Sequence, residues 1–254
     1  MANHRTPHSV AAASEAAASP AAPRIAGTIP AQGPARVTIE SVRSHPTVAI
    51  YIRKADEALA EIGYTEHGER HVSLVAHIAY NTLKRLGYPE REAELAAIAG
   101  YLHDVGNVVN REQHAQTGAV IAMQLLQQMG MEDLETVRIM GAIGNHHEDD
   151  GAAISPVAAA VILGDKSDVH RTRVRNPEMI KFDIHDRVNY AVEKSFLNVD
   201  ESRKEITLEL TIDTGISQVM EYFEIFMTRM VACRKAARFL GTSFGLKVNG
   251  NRLT

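Results

Sequence analysis

The sequence predicts a mainly α-helical protein: a helical bundle followed by a two-stranded β-hairpin and a long closing helix. Three observations predict this class. Apolar residues recur at helical spacing from about residue 45 to residue 169. Residues 204–213 instead alternate apolar and polar side chains, which is typical of a strand with one buried face. After Gly215 the helical spacing returns from Ile216 to Met230, and this stretch is predicted to close the fold.

Residues that typically begin and end helices divide the first part into separate segments. Pro46 lies where the first helix begins, and Gly63 follows its end. Ser155 and Pro156 stand at the N-cap and the first position of the last helix. The segment 95–102 is apolar on nearly all sides, which predicts a central buried helix. The predicted helices cover residues 46–62, 68–86, 89–102, 111–129, 132–146 and 155–169.

Three regions are predicted along the chain. Residues 1–36 contain twelve Ala and five Pro without hydrophobic periodicity. Such a segment cannot bury enough apolar surface to offset the entropy of ordering, so a disordered tail is predicted. Residues 37–180 are predicted to form the helical domain. Residues 181–254 are predicted to pack on the same domain with a hairpin, whose strands cover 187–199 and 204–213, and with the closing helix.

Composition argues against several classes of protein. No apolar run approaches the roughly 18 residues that a membrane span needs, so an integral membrane protein is not expected. The net charge of −4 gives the chain no general electrostatic attraction for DNA or RNA. The one cysteine, Cys233, cannot form a disulfide within the chain. This is typical of a reducing compartment, and a cytoplasmic location is predicted.

Histidine is frequent in one part of the chain, because seven of the twelve histidines lie between residues 67 and 147. His71 falls on the apolar stripe of its helix, and His103 with Asp104 ends the buried helix. Asp165 ends another apolar run. A carboxylate beside buried apolar helices is costly unless a cation compensates it, and a divalent metal with imidazole ligands would do so. The sequence therefore predicts a metal site in the helical core.

The order of these and further histidines points to a known family. The ordered set is His71, His103-Asp104, His114, His146-His147 and Asp165. This set resembles the HD-domain metal-dependent phosphohydrolase superfamily, over about residues 64–170. The resemblance implies one divalent metal, whose ligands are His71, His103, Asp104 and Asp165. It implies a second metal that shares Asp104, with the further ligands His114, His146 and His147.

Within this superfamily, the histidine-rich segment is similar to the HD-GYP branch. That branch carries Gly-Tyr-Pro after its His-His-Glu motif, whereas residues 152–154 here are Ala-Ala-Ile, and Asn107 replaces a Lys after the doublet. Both departures argue against hydrolysis of cyclic-di-GMP. His67 lies where some three-metal members have a carboxylate. A second doublet, His185-Asp186, lacks a partner helix and is interpreted as incidental.

The resemblance implies a phosphohydrolase that uses divalent ions (Mn, Fe, Zn, Ni or Mg, two per chain) to activate a water. Its substrate would be a small phosphomonoester or phosphodiester, such as a nucleotide. Asp104, as the shared ligand, and Lys166, as a cation that stabilises phosphate charge, are the candidate catalytic residues. Arg171 and Arg173 are the candidate substrate-binding residues. The alternative for these two arginines is a solvated helix end that pairs with Asp or Glu.

Two other functions stay open at this point. Some HD proteins with histidine-rich sites bind iron and act as oxygenases, and imidazole suits iron as well as Mn or Zn. A non-catalytic HD domain would instead bind a nucleotide and transmit a signal through the hairpin and the last helix. Metal identity separates the first two functions, and turnover separates both from the third. The hairpin and the last helix are also predicted as the interface of a homodimer.

Overall fold

A computed structural model describes residues 36–253, so the predicted tail at 1–36 lies outside the described residues except for Arg36. The described residues confirm the mainly helical class. Short 3-10 turns lie at Val105–Val108, Arg171–Arg173 and Pro177–Lys181. The α-helices are α1 (Ile39–Arg43), α2 (Pro46–Glu61), α3 (Glu69–Arg85), α4 (Glu90–Leu102), α5 (His114–Gln128), α6 (Asp133–Gly144), α7 (Pro156–Ser167), α8 (Ile184–Ala191) and α9 (Val219–Phe239).

Residues that the sequence marks as helix ends have that role in the structure. Pro46 is the first residue of α2. At the start of α7, the Ser155 hydroxyl oxygen accepts a hydrogen bond from the backbone N–H of Ala158 (3.1 Å). Gly63 and Gly87 follow α2 and α3 with φ angles of +83° and +80°, a conformation that glycine adopts after a helix without steric cost. The six predicted helices therefore begin and end within three residues of the observed ones.

α4 and α7 form the centre of the helical part. α7 is buried along nearly its whole length, and both helices pack against α3 and against each other. Two glycines permit the close approach. A Cβ on Gly100 would lie 3.1 Å from the backbone nitrogen of Ala76, and a Cβ on Gly164 would lie 3.0 Å from the backbone oxygen of Val75. These contacts bring the C-terminal ends of α4 and α7 beside the N-terminal half of α3.

The C-terminal part is larger than the predicted two-stranded hairpin. Its sheet has four strands in the order β1 (Val192–Asp200), β2 (Glu205–Ile212), β3 (Ser243–Val248) and β4 (Asn251–Arg252). β1 and β2 are the predicted hairpin, whereas β3 runs parallel to β2 and β4 runs antiparallel to β3. α9 connects β2 to β3. The pairing of β3 with β2 is not predicted, because a parallel partner that returns after a long helix leaves no local hairpin signal. Asn249-Gly250, with φ angles of +49° and +83°, is a local hairpin signal between β3 and β4 that sequence reasoning missed.

The predicted strand at 187–199 is wrong over its first five residues. Residues 187–191 belong to α8, and β1 begins at Val192. Asp183 explains the difference, because its Oδ1 accepts hydrogen bonds from the backbone N–H groups of His185 (2.7 Å) and Asp186 (3.2 Å) and so caps a helix. The side chain of His185 is 64% exposed, which agrees with the interpretation of the second doublet as incidental.

The elements after residue 181 pack against α3 and α7 of the helical part. β1 packs against α3 and α7, and α9 packs against α7. Within residues 36–253, no helix is both long and apolar enough to span a bilayer.

Candidate metal centre

Six of the predicted ligands converge at one buried point of the helical core. Each of these residues lies at or near the end of a helix, and these helix ends meet in the core. Each residue is at most 8% exposed. The six are His71 in α3, His103 and Asp104 after α4, His114 at the start of α5, His146 after α6, and Asp165 in α7.

The first half of the centre joins α3, α4 and α7. The Nε2 atoms of His71 and His103 are 3.3 Å apart. Asp165 Oδ1 lies 3.5 Å from the first and 3.8 Å from the second of these nitrogens. Asp104 Oδ2 lies 3.6 Å and 3.3 Å from the same two atoms. Two ligands of one ion, each roughly 2.1 Å from it, are roughly 3.0–3.4 Å apart, so these spacings suit a shared cation.

Hydrogen bonds on the far side of both rings fix which nitrogen faces the centre. His71 Nδ1 is 2.7 Å from a carboxylate oxygen of Asp168, and His103 Nδ1 is 2.7 Å from the backbone oxygen of Gly100. Each Nδ1 therefore carries a hydrogen and donates it, which leaves a lone pair on Nε2 when the ring is neutral. This is the usual orientation of a metal-binding imidazole.

The second half of the centre repeats this arrangement with two other histidines. His114 Nδ1 donates to the backbone oxygen of Arg111 (2.9 Å), and His146 Nδ1 donates to that of Ile143 (2.6 Å). Their Nε2 atoms are 3.2 Å apart and lie 3.5 Å and 3.9 Å from Asp104 Oδ1. Burial lowers the pKa of His114 to about 4 and that of His146 well below its ordinary value, so both rings are neutral at pH 7.

The donor set fits divalent cations. Asp104 Oδ2 is buried and has no hydrogen-bond donor, while Oδ1 accepts one hydrogen bond from the side-chain amide of Asn107 (2.9 Å). Imidazole lone pairs that face each other and a carboxylate repel unless a cation lies between them. Two overlapping sets have all their ligand atoms within 4.8 Å of one another: His71, His103 and Asp165, and His103, Asp104 and His146.

The buried carboxylates Asp104 and Asp165 also favour the protonated form of a neighbouring histidine, His103. Burial by itself lowers the pKa of His103, but Asp104 and Asp165 outweigh it and raise that pKa to about 10. Burial raises the pKa of the Asp104 carboxyl, but the neighbouring histidines, His103 first, hold it well below its ordinary value. A proton on His103 thus balances part of the charge, and a divalent cation would displace it.

The structure does not bring His147 into the centre, so its predicted role as a ligand is corrected. Its Nδ1 lies 3.6 Å from Asp150 Oδ1, and its side chain is 23% exposed. Its ring makes an edge contact with the ring of His114, with centroids 5.1 Å apart. α6 ends at Gly144, and the two adjacent histidines that follow it point in different directions, so that only His146 faces Asp104.

Lys166 is buried with its charge paired inside the protein, which argues against its predicted role as a free cation that stabilises phosphate. Its side chain is 5% exposed, and its ammonium contacts Asp165 Oδ2 (2.6 Å) and the carboxylate of Glu148. Burial raises the pKa of Glu148, but Lys166 and Arg229 outweigh it and lower that pKa to about 2. Arg229 Nε in turn lies 3.5 Å from Glu148 Oε1. This chain of charges holds the metal-facing carboxylate of Asp165 and connects it to α9.

The two predicted phosphate-binding arginines have partners within the protein. Arg173 is 1% exposed, and its guanidinium donates to the backbone oxygens of Glu66 (3.0 and 3.1 Å) and Asp168 (2.9 Å). Arg171 pairs with Glu193 (3.1 Å) and lies over the ring of Tyr190. Both residues are paired within the protein, so their predicted substrate-binding role is corrected. The alternative of a solvated and paired side chain describes Arg171, whereas Arg173 is paired but buried.

Sequence reasoning missed two groups that support the centre. Asp168 accepts the His71 hydrogen, and its position one turn after Asp165 was a usable signal. Arg229 reaches Glu148 from α9, and no local pattern marks it. His67 is buried, and its ring centroid lies 5.3 Å from that of His71. Its place one turn before His71 in the sequence indicated this proximity.

These features define a class: a helical protein in which buried histidines and carboxylates converge on a candidate metal centre. The model of the HD domain family matches residues 68–191, which include all six converging residues. Residues 68–191 are therefore identified as an HD domain, which confirms the predicted resemblance to the HD superfamily, a group of metal-dependent hydrolase type. It is also similar to the uncharacterized protein MJ1020 of Methanocaldococcus jannaschii, with 26% identity over 187 residues, or 65% of this chain and 72% of that protein.

Proposed function

We propose that this protein is a divalent-metal-dependent phosphohydrolase that cleaves a small phosphomonoester or phosphodiester, of the nucleotide class, with a metal-activated water. The arrangement around Asp104 carries the proposal. Oδ2 of this residue faces the Nε2 atoms of His71 and His103, and Oδ1 faces those of His114 and His146. One carboxylate between two pairs of imidazoles is a suitable ligand set for two ions that share a bridging carboxylate.

Charge favours an anionic substrate at such a centre. Among the groups that face the Nε2 nitrogens of the four histidines, Asp104 and Asp165 are the carboxylates, and the charge of two divalent ions exceeds theirs. Bound ions of this kind activate a water and neutralise phosphoryl oxygens. Lys166 holds Asp165 in place, and Asp168 holds the ring of His71, so the protein's own contribution is to fix the ligands in a dry site.

His67 is the candidate for proton transfer beside the centre. Its Nδ1 donates to the backbone oxygen of Thr65 (2.7 Å), which fixes the ring. Burial first, and then the charge of Arg173, lower the pKa of His67 well below its ordinary value. The ring is therefore neutral at pH 7, and its Nε2 has a lone pair that can accept a proton from a water.

The test combines metal content with turnover. The protein is purified without chelator and without added metal, its metals are measured, and hydrolysis of p-nitrophenyl phosphate and bis(p-nitrophenyl) phosphate is followed with Mn²⁺ in the absence of oxygen. We expect about two ions per chain and release of p-nitrophenol. Asp104→Asn should lose both, because one substitution removes a ligand of each ion. Asp133→Asn, an exposed carboxylate at the start of α6, is the control.

Other outcomes would overturn the proposal. Iron as the bound metal, with turnover that consumes oxygen and no esterase activity, would favour an oxygenase. Nucleotide binding without any turnover would favour a sensor. Less than about 0.2 metal per chain after reconstitution would refute the metal centre itself.

A further inference from the structure

A cavity of about 350 Å³ lies beside the candidate metal centre, and none of the predicted site residues lines it. His67, Arg111 and Arg229 are among the residues that line it. The ring of His67 is 5.3 Å from that of His71, and Arg111 Nη1 is 3.4 Å from His114 Nε2. The cavity therefore lies next to both halves of the centre.

An aromatic ring backs each of the two arginines. The guanidinium of Arg111 lies over the ring of Tyr64, 5.2 Å from its centroid, and that of Arg229 lies over the ring of Phe226 at 4.5 Å. Tyr64 and Phe226 line the same cavity. A stacked guanidinium is held by its flat face, which leaves the N–H groups along its edges available for hydrogen bonds to phosphate.

Both guanidiniums have little negative charge around them. Within the described part of the chain, no carboxylate oxygen lies within 4 Å of Arg111, which donates to the side-chain oxygen of Asn107 (3.3 Å). Arg229 has one carboxylate partner, Glu148, and Lys166 shares that partner. The positive charge and the N–H donors of the two arginines are therefore only partly paired with groups of the protein.

A metal ion at the second half of the centre would increase this imbalance. Arg111 Nη1 is within hydrogen-bond distance of the Nε2 lone pair of His114. An ion bound to His114 takes that lone pair, so Arg111 loses this acceptor and comes to lie beside a second positive charge. An anion in the cavity would supply both the missing acceptor and the missing charge.

We propose that Arg111 and Arg229 form a second anion-binding subsite, and that the substrate carries two phosphoryl groups. One group binds at the metal ions and the other binds between the two arginines. This inference rests on the proposed function and names its substrate class. Asp183 and Asp186 line the same cavity from α8, and the side chain of Asp183 is 52% exposed. These carboxylates disfavour a phosphoryl group near them, and in the described residues neither lies within 4 Å of an Arg111 or Arg229 nitrogen, so the second group belongs beside the arginines.

The experiment compares two inorganic probes on the metal-loaded protein. Binding of orthophosphate and of imidodiphosphate, which resists hydrolysis, is measured by calorimetry with free Mn²⁺ held constant, so that chelation by the probe does not strip the site. We expect imidodiphosphate to bind at least about tenfold more tightly. Arg111→Gln should weaken imidodiphosphate binding by about tenfold, the effect of losing a charge-assisted hydrogen bond. Arg229→Lys keeps the charge but loses the forked donors of the guanidinium, and it should weaken this binding by about threefold.

The controls separate this inference from the proposed function. Because Arg229 also supports the centre through Glu148, the unchanged baseline is required of Arg111→Gln alone, which should keep the wild-type metal content and urea midpoint and bind orthophosphate within about twofold of wild type. Arg234→Gln removes an exposed arginine of α9 that does not line this cavity, and it should change neither affinity. Equal affinity for the two probes, or variants that bind imidodiphosphate as tightly as wild type, would overturn the second subsite and leave the hydrolase intact. Failure of the wild type to bind metal would overturn both.

Discussion

Replacing Asp168 by Asn should weaken metal binding without touching a metal ligand. Asp168 Oδ2 accepts the Nδ1 hydrogen of His71 (2.7 Å) and a hydrogen bond from Arg70 (2.7 Å). An Asn oxygen in the place of Oδ2 can still accept from both donors, but the NH₂ group then takes the place of Oδ1 and meets Arg70 Nη1, which donates to Oδ1 in the native protein (3.2 Å). The negative charge that both donors face is also lost. The fixed orientation of His71 is therefore lost or strained. Loss of such a supporting contact typically lowers metal affinity by about 10–100-fold, or about 1.4–2.7 kcal/mol.

The same substitution should lower the free energy of unfolding. Arg173, which is 1% exposed, has its guanidinium Nε 3.7 Å from Asp168 Oδ2 and would lose this carboxylate. Removal of one partner from a buried ion pair costs about 3–5 kcal/mol. We expect a value near about 3 kcal/mol, because Arg173 keeps the backbone oxygen of Glu66 as an acceptor and Arg70 keeps the Glu66 carboxylate.

Two measurements check this prediction. Competition with a chelator of known affinity gives the metal dissociation constant, and urea unfolding of the chelator-treated protein gives the change in stability separately. Asp133→Asn again serves as the matched control, because it removes the same atoms from an exposed position. If Asp168→Asn binds metal within twofold of wild type, the carboxylate does not orient His71, and the reasoning fails.

Two further predictions follow from packing and burial. Gly164→Ala should lower the free energy of unfolding in urea by about 1–3 kcal/mol, because its Cβ would lie 3.0 Å from the Val75 backbone oxygen. Gly144→Ala is the control, because its Cβ would lie 3.7 Å from its nearest neighbour and should cause no clash. Equal losses of stability in the two variants would refute the close approach of α7 to α3. Burial raises the pKa of Cys233 to about 12, so at pH 8 the native thiol should resist a disulfide reagent that modifies the urea-unfolded chain, and fast labelling of native protein would contradict its burial.

The helical part could be predicted from sequence because its signals are local. Proline and glycine mark the ends of helices, and the apolar spacing marks the buried helices. Position on an apolar stripe identified His71, and position at the end of an apolar helix identified His103, Asp104 and Asp165. An ionisable side chain at such a place has to meet a compensating group, so convergence of these residues was foreseeable.

The parts that could not be predicted depend on contacts between distant segments. Residues 187–191 are an exception, because the Asp183 cap that begins their helix is a local signal that sequence reasoning overlooked. The partner of β3 is β2, some forty residues earlier in the chain. Arg229 interacts with Glu148 across the gap between α9 and the segment after α6. The sequence of each segment alone says nothing about such pairings, and for that reason the arginines nearest in sequence to Asp165 were favoured over Arg229.

The distribution of positive charge around the buried carboxylates indicates which of them the proposed metal ions would compensate. Asp168 lies near Arg173, and Asp165 contacts the ammonium of Lys166, so each has a permanent cation of the protein within 4 Å. Asp104 differs: within residues 36–253 it has no Lys or Arg nitrogen at that distance, and histidines surround it on both of its oxygens. A carboxylate at 3% exposure without a permanent cation is costly to bury. The fold thus compensates its supporting carboxylates internally and leaves the charge of Asp104 for the ions, so binding of the metal and stability of the core should be coupled.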